Sequence, residues 1–307
     1  RHTTGSRPPA PINPPHLMYT PPPLSSVKTT PEVVSDGHLW IEEFVAGNAL
    51  RFRLTDAGFL EFGDADGIFD HDAVPLQYRH AVRAVREAFD REVVRESIEE
   101  PAEITFIGVA VHQLSPADTP SCADTPWPTP TYDWATTPSV LGTDIYDGQR
   151  EQYLPRDQVH AVFERVGLAT PPPIEKERRA AHFDPTAYSI PESAYYDGPA
   201  AGIIFYNKGG SRAVRFHQAT ARTPPADREP SSPDQVVTTY VTDAWLRRIR
   251  EECVSTGVPV TVEELTKRAV EALARETTVL TGPQSLSQGA VQTALRKYIS
   301  ESTDHSA

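Results

Sequence analysis

Apolar and polar positions begin to alternate at His38 and from there sort into short extended runs and amphipathic helices. Residues 40–54 alternate as one strand, Gly58 marks a turn, and Phe59-Leu60-Glu61-Phe62 reads as the hairpin partner. Over residues 78–97, Ala81, Val82, Val85, Phe89 and Val93 fall at helical spacing, which predicts one amphipathic helix with a solvated Arg/Glu face. Residues 104–111 are apolar almost without interruption and predict a buried strand, and residues 139–146 predict another. A helix over 155–166 is stopped by Gly167, and residues 202–207 and 212–217 form a hairpin around Lys208-Gly209-Gly210-Ser211. Beyond residue 235 the period is helical. Tyr240, Ala244, Leu246 and Ile249 mark a helix over 237–255, Thr261 and Glu264 form a capping box for a helix over 262–274, and a third helix covers 291–300.

Proline sets the boundaries between these runs. Residues 1–35 are rich in Pro, Thr and Ser and predict a leader that is disordered or loosely draped. The chain begins with Arg1 and its only methionine is Met18, so Met18 is the expected native start. Residues 114–132 form a Pro-rich insertion that cannot serve as a central strand, and residues 222–234 read as a linker. The expected organisation is an α+β domain over 36–221, followed by a small C-terminal helical domain over 235–307.

Composition narrows the setting more than the chemistry. Hydrophobic residues make up 38% of the 307, enough for a core, and the thirty prolines account for part of the shortfall from an average domain. The formal net charge is −13, from 42 acidic and 29 basic residues, and five of the basic ones are lysines: Lys28, Lys176, Lys208, Lys267 and Lys297. This acidic, lysine-poor make-up resembles proteins of salt-loving archaea; a GC-rich genome is the other source of such a bias. The charge does not exclude RNA, because at about 1 M salt the Debye length is about 3 Å and any contact patch is local. Cys122 and Cys253 form neither a disulfide framework nor a zinc set. The longest apolar run, 104–111, is far short of a membrane span, and no signal-peptide pattern opens the chain, so a cytoplasmic location is expected.

Common catalytic signatures are missing from the sequence: there is no Gly-rich phosphate loop, no H-E-x-x-H and no G-x-S-x-G. The Asp64, Asp66, Asp70 and Asp72 cluster lacks the spacing and terminal Glu of a calcium loop and reads as a solvated acidic loop. His112 and His217 end strands and read as structural. The informative feature is an ordered series of short segments: EEFVAGNALRF (42–52), ITFIGVAVH (104–112), PSVLGTDIYD (138–147), AAGIIFYN (200–207) and SRAVRF (211–216). In order and rough spacing the series resembles motifs I, III, IIIa, IV and V of the RNA-ligase family, including ligases like the second RNA ligase of phage T4 and haloarchaeal RNA ligase-like proteins. The resemblance covers about residues 38–217. It implies an ATP-grasp-like nucleotidyltransferase fold with antiparallel sheets, ATP and Mg²⁺ as cofactors, and a lysyl-adenylate that passes AMP to an RNA 5′-phosphate.

That chemistry needs a lysine nucleophile, carboxylates for a metal, and cations around the reacting phosphorus. Laid on this chain, the resemblance puts Phe44 at the nucleophile and Ala46 at the Asp two residues on. It puts Val109 and Ala201 at the two glutamates, Thr143 at the base-stacking aromatic, and Val214 at the first lysine of motif V. No catalytic residue and no metal ligand is expected. Gly47, Arg51, Asp144, Gly202, Arg212 and Arg215 are the candidates for retained nucleotide or phosphate binding, and Arg247, Arg248 and Arg250 are the candidates for RNA contact. The expected function is that of a ligase-family protein without covalent chemistry, binding RNA, a nucleotide, or a partner such as an active ligase paralogue. Two alternatives stay open: an active ATP-dependent RNA ligase or adenylyltransferase with an unconventional nucleophile, and a non-enzymatic interaction protein or decaying paralogue on an inherited fold.

Overall fold

The computed structural model describes residues 18–114, 130–217 and 230–304. Cys122, most of the Pro-rich insertion and most of the linker lie outside the described residues, as do residues 1–17. The architecture is α+β, with two antiparallel sheets and, among the described residues, seven α-helices.

The alternation over 40–54 belongs to two strands. Strand β1 (His38–Glu43) and strand β2 (Asn48–Leu54) lie in different sheets. The chain crosses between them at residues 44–47, where Gly47 passes so close to β4 (Ile104–Ala110) that a Cβ there would meet the Ala110 carbonyl oxygen at 2.3 Å. Sheet-to-sheet crossing leaves the period-2 pattern intact, so alternation alone cannot reveal it. The four-stranded sheet runs β7 (Pro173–Arg179), β1, β8 (Gly202–Asn207), β9 (Arg212–Phe216). The five-stranded sheet runs β3 (Leu60–Gly63), β2, β4, β5 (Val140–Asp147), β6 (Gln152–Tyr153).

Helices α1 (Leu76–Ala88), α2 (Arg91–Ser97) and α3 (Arg156–Arg165) cover one face of the five-stranded sheet. Leu50, Phe52 and Phe106 from the sheet meet Val85, Phe89 and Phe163 from the helical side, with the Phe52 and Phe106 rings stacked at 5.2 Å. Each such side chain contributes about 1.5–3 kcal/mol of burial. The helix predicted over 78–97 is two helices. Phe89 turns extended, and the Asp90 side chain caps α2 by accepting from the Glu92 and Val93 amides.

Residues 18–35 of the leader are draped on the body and not disordered. Met18, Val27, Val33 and Val34 are buried, and residues 25–27 pair in parallel fashion with β9 through Val27 N to Val214 O (2.9 Å) and Val214 N to Ser25 O (2.9 Å). Proline-rich composition there reflects an extended chain held by tertiary contacts instead of a solvated one.

The C-terminal helices α4 (Pro233–Tyr240), α5 (Asp243–Ser255), α6 (Val262–Glu276) and α7 (Gln288–Asp304) build a core of their own around Val236, Ile249, Leu265, Leu273 and Leu295. The helix predicted over 237–255 breaks before Thr242, whose hydroxyl caps α5 at the Trp245 amide. These helices dock on the body: Arg83 of α1 meets Glu271 of α6 at 2.6 Å, and Arg268 of α6 meets Glu87 of α1 at 2.5 Å. No helix among the described residues is long and apolar enough to cross a membrane.

Candidate functional site

Between the two sheets lies a cleft with a partly open cavity of about 360 Å³. Strand alternation selects its walls. From the four-stranded sheet, Ile204, Tyr206 and Val214 share a face with Trp40, and Phe44 and Phe216 pack against them. From the five-stranded sheet come Ala49 and Arg51 of β2, Ile107 and Val109 of β4, and Thr143 and Asp144 of β5. Two neighbouring residues of β5 reach one cleft because the strand carries a bulge. Ile107 pairs with Asp144 but Gly108 pairs with Gly142, which leaves Thr143 as the extra residue.

The six positions to which the resemblance assigns the reacting groups lie in or beside this cleft. Phe44 is half-buried, its ring edge-on to Phe216 at 5.1 Å, and its amide donates to Gly202 O at 2.9 Å. Ala46 is buried, with the Tyr132 hydroxyl bonded to both its amide (2.7 Å) and its carbonyl (3.1 Å). Val109 and Thr143 line the cavity, and the Thr143 hydroxyl donates to Ile107 O at 3.3 Å. Ala201 is buried beside Val45 and Tyr195, and Val214 is buried beneath Trp40 and Tyr206.

The polar groups of the cleft form a closed network. Asp144, 4% exposed, pairs with Arg212 of β9 and lies 3.6 Å from Arg156 of α3. Arg156 also holds Glu42 of β1 at 2.5 Å, donates to the Thr143 carbonyl, and sits 4.0 Å over the Tyr206 ring. His160, one helical turn on, contacts Glu42 at 2.7 Å and the Thr170 hydroxyl at 2.9 Å. Burial pushes the Asp144 carboxyl above its ordinary range, opposed by Arg212 and Arg156. Burial works against the charge on Arg212, yet Asp144 beside it raises the guanidinium above its usual value. Sheet is thus tied to sheet by ion pairs that water barely reaches.

The candidate cations differ in how they stand to the cleft. Arg212 faces it but is paired. Arg51, 3% exposed, directs one guanidinium nitrogen to Met18 O (2.9 Å), Tyr19 O (2.9 Å) and Thr20 Oγ1 (2.6 Å), and the other to Asp64 O. Arg215 lies on the opposite face of β9, donating to the Thr186 and Tyr188 carbonyls. Gly202 allows close strand pairing, since a Cβ there would meet Arg215 O at 2.7 Å. In the helical domain, Arg248 is drawn inward to Glu276 and Glu252, while Arg247 is exposed and Arg250 half-buried, so the three do not form one patch.

Over the cleft runs a strap, residues 18–27, that the sequence reading missed. Tyr19 stacks on Tyr146 at 3.5 Å and meets Tyr153 edge-on at 5.7 Å, and its amide donates to the Thr105 hydroxyl. Residues 21–24 then cross the cavity, and residues 25–27 join β9. Glu42, Arg156, His160 and Tyr206 were also missed as a cluster. The signal available was Arg156 and His160 at i,i+4 on one predicted helix.

Mg²⁺ and a nucleoside triphosphate do not fit this donor set. Glu43 is bonded to Ser193 Oγ at 2.5 Å and to the Ala194 amide at 2.9 Å, Asp144 is held by arginines, and Arg51 is held by backbone carbonyls. Among the described residues no three His, Cys, Asp or Glu side chains are grouped to hold a metal.

No protein-family model matches the chain, and neither does any curated protein. Among solved structures it is similar to RNA ligase of Naegleria gruberi. One mutant of that ligase with ATP and Mn gives 10% identity and a TM-score of 0.48 over 66% of this chain and 57% of that chain. The same ligase with PPi gives 12% identity and a TM-score of 0.45 over 69% and 62%. This chain therefore spans little more than half the length of the first of these structures.

Proposed function

We propose that this chain is a non-catalytic protein on an RNA-ligase-type scaffold, in which the cleft that would carry nucleotidyl transfer has become a mainly apolar cavity whose charged groups are bonded within the protein. The observation that carries the reading is at Phe44. Where the resemblance calls for a nucleophilic lysine, its ring packs on Phe216, and no lysine lines the cavity. None of the five lysines, all described, lines it: Lys28 is exposed just beyond the strap, Lys176 sits 4.9 Å over Trp40 and Lys208 pairs with Glu177 at 2.9 Å, while Lys267 and Lys297 belong to the helical domain. The chemical need is not only a nucleophile. Unpaired cations must face the phosphates, and Arg51 and Arg212 are both committed to protein partners. RNA or a protein partner, such as an active ligase paralogue, is then met by the outer surface, with Arg247 as the exposed arginine of α5.

Isothermal titration of the full chain with ATP and Mg²⁺ in high salt tests this reading. The expected outcome is no saturable heat below millimolar ATP; micromolar binding would contradict it.

A further inference from the structure

The space beneath the strap has chemistry of its own. Its walls are Phe44, Ile204 and Tyr206 on one side and Ile107 and Val109 on the other, and residues 21–24 roof it with three proline rings and Leu24. At about 360 Å³ it falls in the range of small-molecule sites. The charged groups that line it are engaged within the protein: Asp144 has Arg212 and Arg156, Glu43 has the Ser193 hydroxyl and the Ala194 amide, and Arg51 gives both terminal nitrogens to neutral oxygens of the strap and of Asp64, with its Nε alone unbonded. A charged guest would have to compete with these bonds among walls that are mainly apolar, and that is unfavourable. An uncharged ring displaces only water from apolar walls.

We propose that this cavity is a binding site for an uncharged, flat, apolar molecule, a class of ligand that the ligase resemblance does not imply. The assignment rests on the reading that no nucleotidyl transfer occurs here. The walls favour a flat aromatic guest, because aromatic rings line one side and branched aliphatic side chains the other. Entry is by way of the strap. Its ends are fixed by the Tyr19 stack and by the Val27–Val214 pairing, whereas Pro21, Pro22 and Pro23 have no amide hydrogen with which to hold the middle. Arg212 reaches this span only at Pro22 O, 3.4 Å away.

The test is a fluorescence titration of the full chain in high salt with N-phenyl-1-naphthylamine, a neutral aromatic probe that brightens in apolar surroundings. Saturable binding of one equivalent is expected. Ala65→Trp, an exposed position at the cavity's edge, and Val109→Trp, in its wall, should each weaken binding at least tenfold. If Val109→Trp does not fold, Ala65→Trp decides. ATP should not displace the probe. No saturable binding, unchanged affinity in Ala65→Trp, or displacement by ATP would overturn the proposal. A covalent AMP adduct on the protein would sink the non-catalytic reading itself, whereas absence of both adduct and probe binding would sink only this inference.

Discussion

At the scale of single residues, the cleft is governed by charges that compensate one another out of water. Glu42 is 1% exposed and depends on Arg156, which also supports Asp144 and the Thr143 carbonyl. Arg156→Met leaves Glu42 with His160 alone and should destabilise the fold by about 3–5 kcal/mol, read as a lower urea midpoint at unchanged slope. The pair His80 and His112 works in the other direction. Both lie near Arg275, and neither ring nitrogen of His80 has a hydrogen-bond partner among the described residues. Burial, reinforced by Arg275, lowers the His112 imidazole to about 4, and burial likewise holds His80 well below its ordinary value. A lowered native pKa means that the unfolded chain takes up the protons first. The stability these histidines allow is therefore complete above about pH 6.5 and is lost as pH falls toward 4. His80→Leu should raise stability at pH 7 by about 1–3 kcal/mol and flatten the acid limb of the melting-temperature profile between pH 6.5 and 4. An unchanged acid limb would mean that His80 does not titrate with unfolding.

At the scale of elements, periodicity exposed most of the strands and helices but not their breaks. The run over 40–54 keeps its alternation through the crossing at residues 44–47, and the runs over 78–97 and 237–255 keep helical spacing through Asp90 and Thr242. Both caps are visible in the sequence as N-cap residue types, yet a hydrophobic stripe that continues across them masks the break. The β5 bulge was equally hidden, because an inserted residue changes register without changing composition. It decides which residues line the cleft: Asp144 faces Arg212, and Tyr146 stacks on Tyr19. The strap was illegible for a different reason. Proline and threonine suit an extended chain, and whether that chain is solvated or docked depends on partners far away in sequence, such as Arg51 and Val214. Tyr19→Ala removes the stack and should loosen the strap selectively. Hydrogen exchange at the Val27 and Val214 amides should quicken at least tenfold, while amides in the middle of α6 keep wild-type rates. Equal acceleration in both places would show that the strap is not a separable element.

At the scale of the whole molecule, two sheets, a strap and a docked helical domain lock one another in place. The strap bridges the sheets, Arg156 and Arg212 bridge them again from inside, and Arg83–Glu271 with Arg268–Glu87 tie α6 to α1. Arg275, buried and lowered by that burial to about 10, adds bonds to the Val111 and Thr137 carbonyls at the foot of β4. The order of motif-like segments made an RNA-ligase-type fold readable in the sequence. The lining of the cleft was not readable, because its walls are set by which strand faces which. The most direct measurement is incubation of the full chain with α-labelled ATP and Mg²⁺ or Mn²⁺ in high salt, followed by denaturing electrophoresis. No labelled protein is predicted; a covalent AMP mapped to any lysine of this chain would contradict the account.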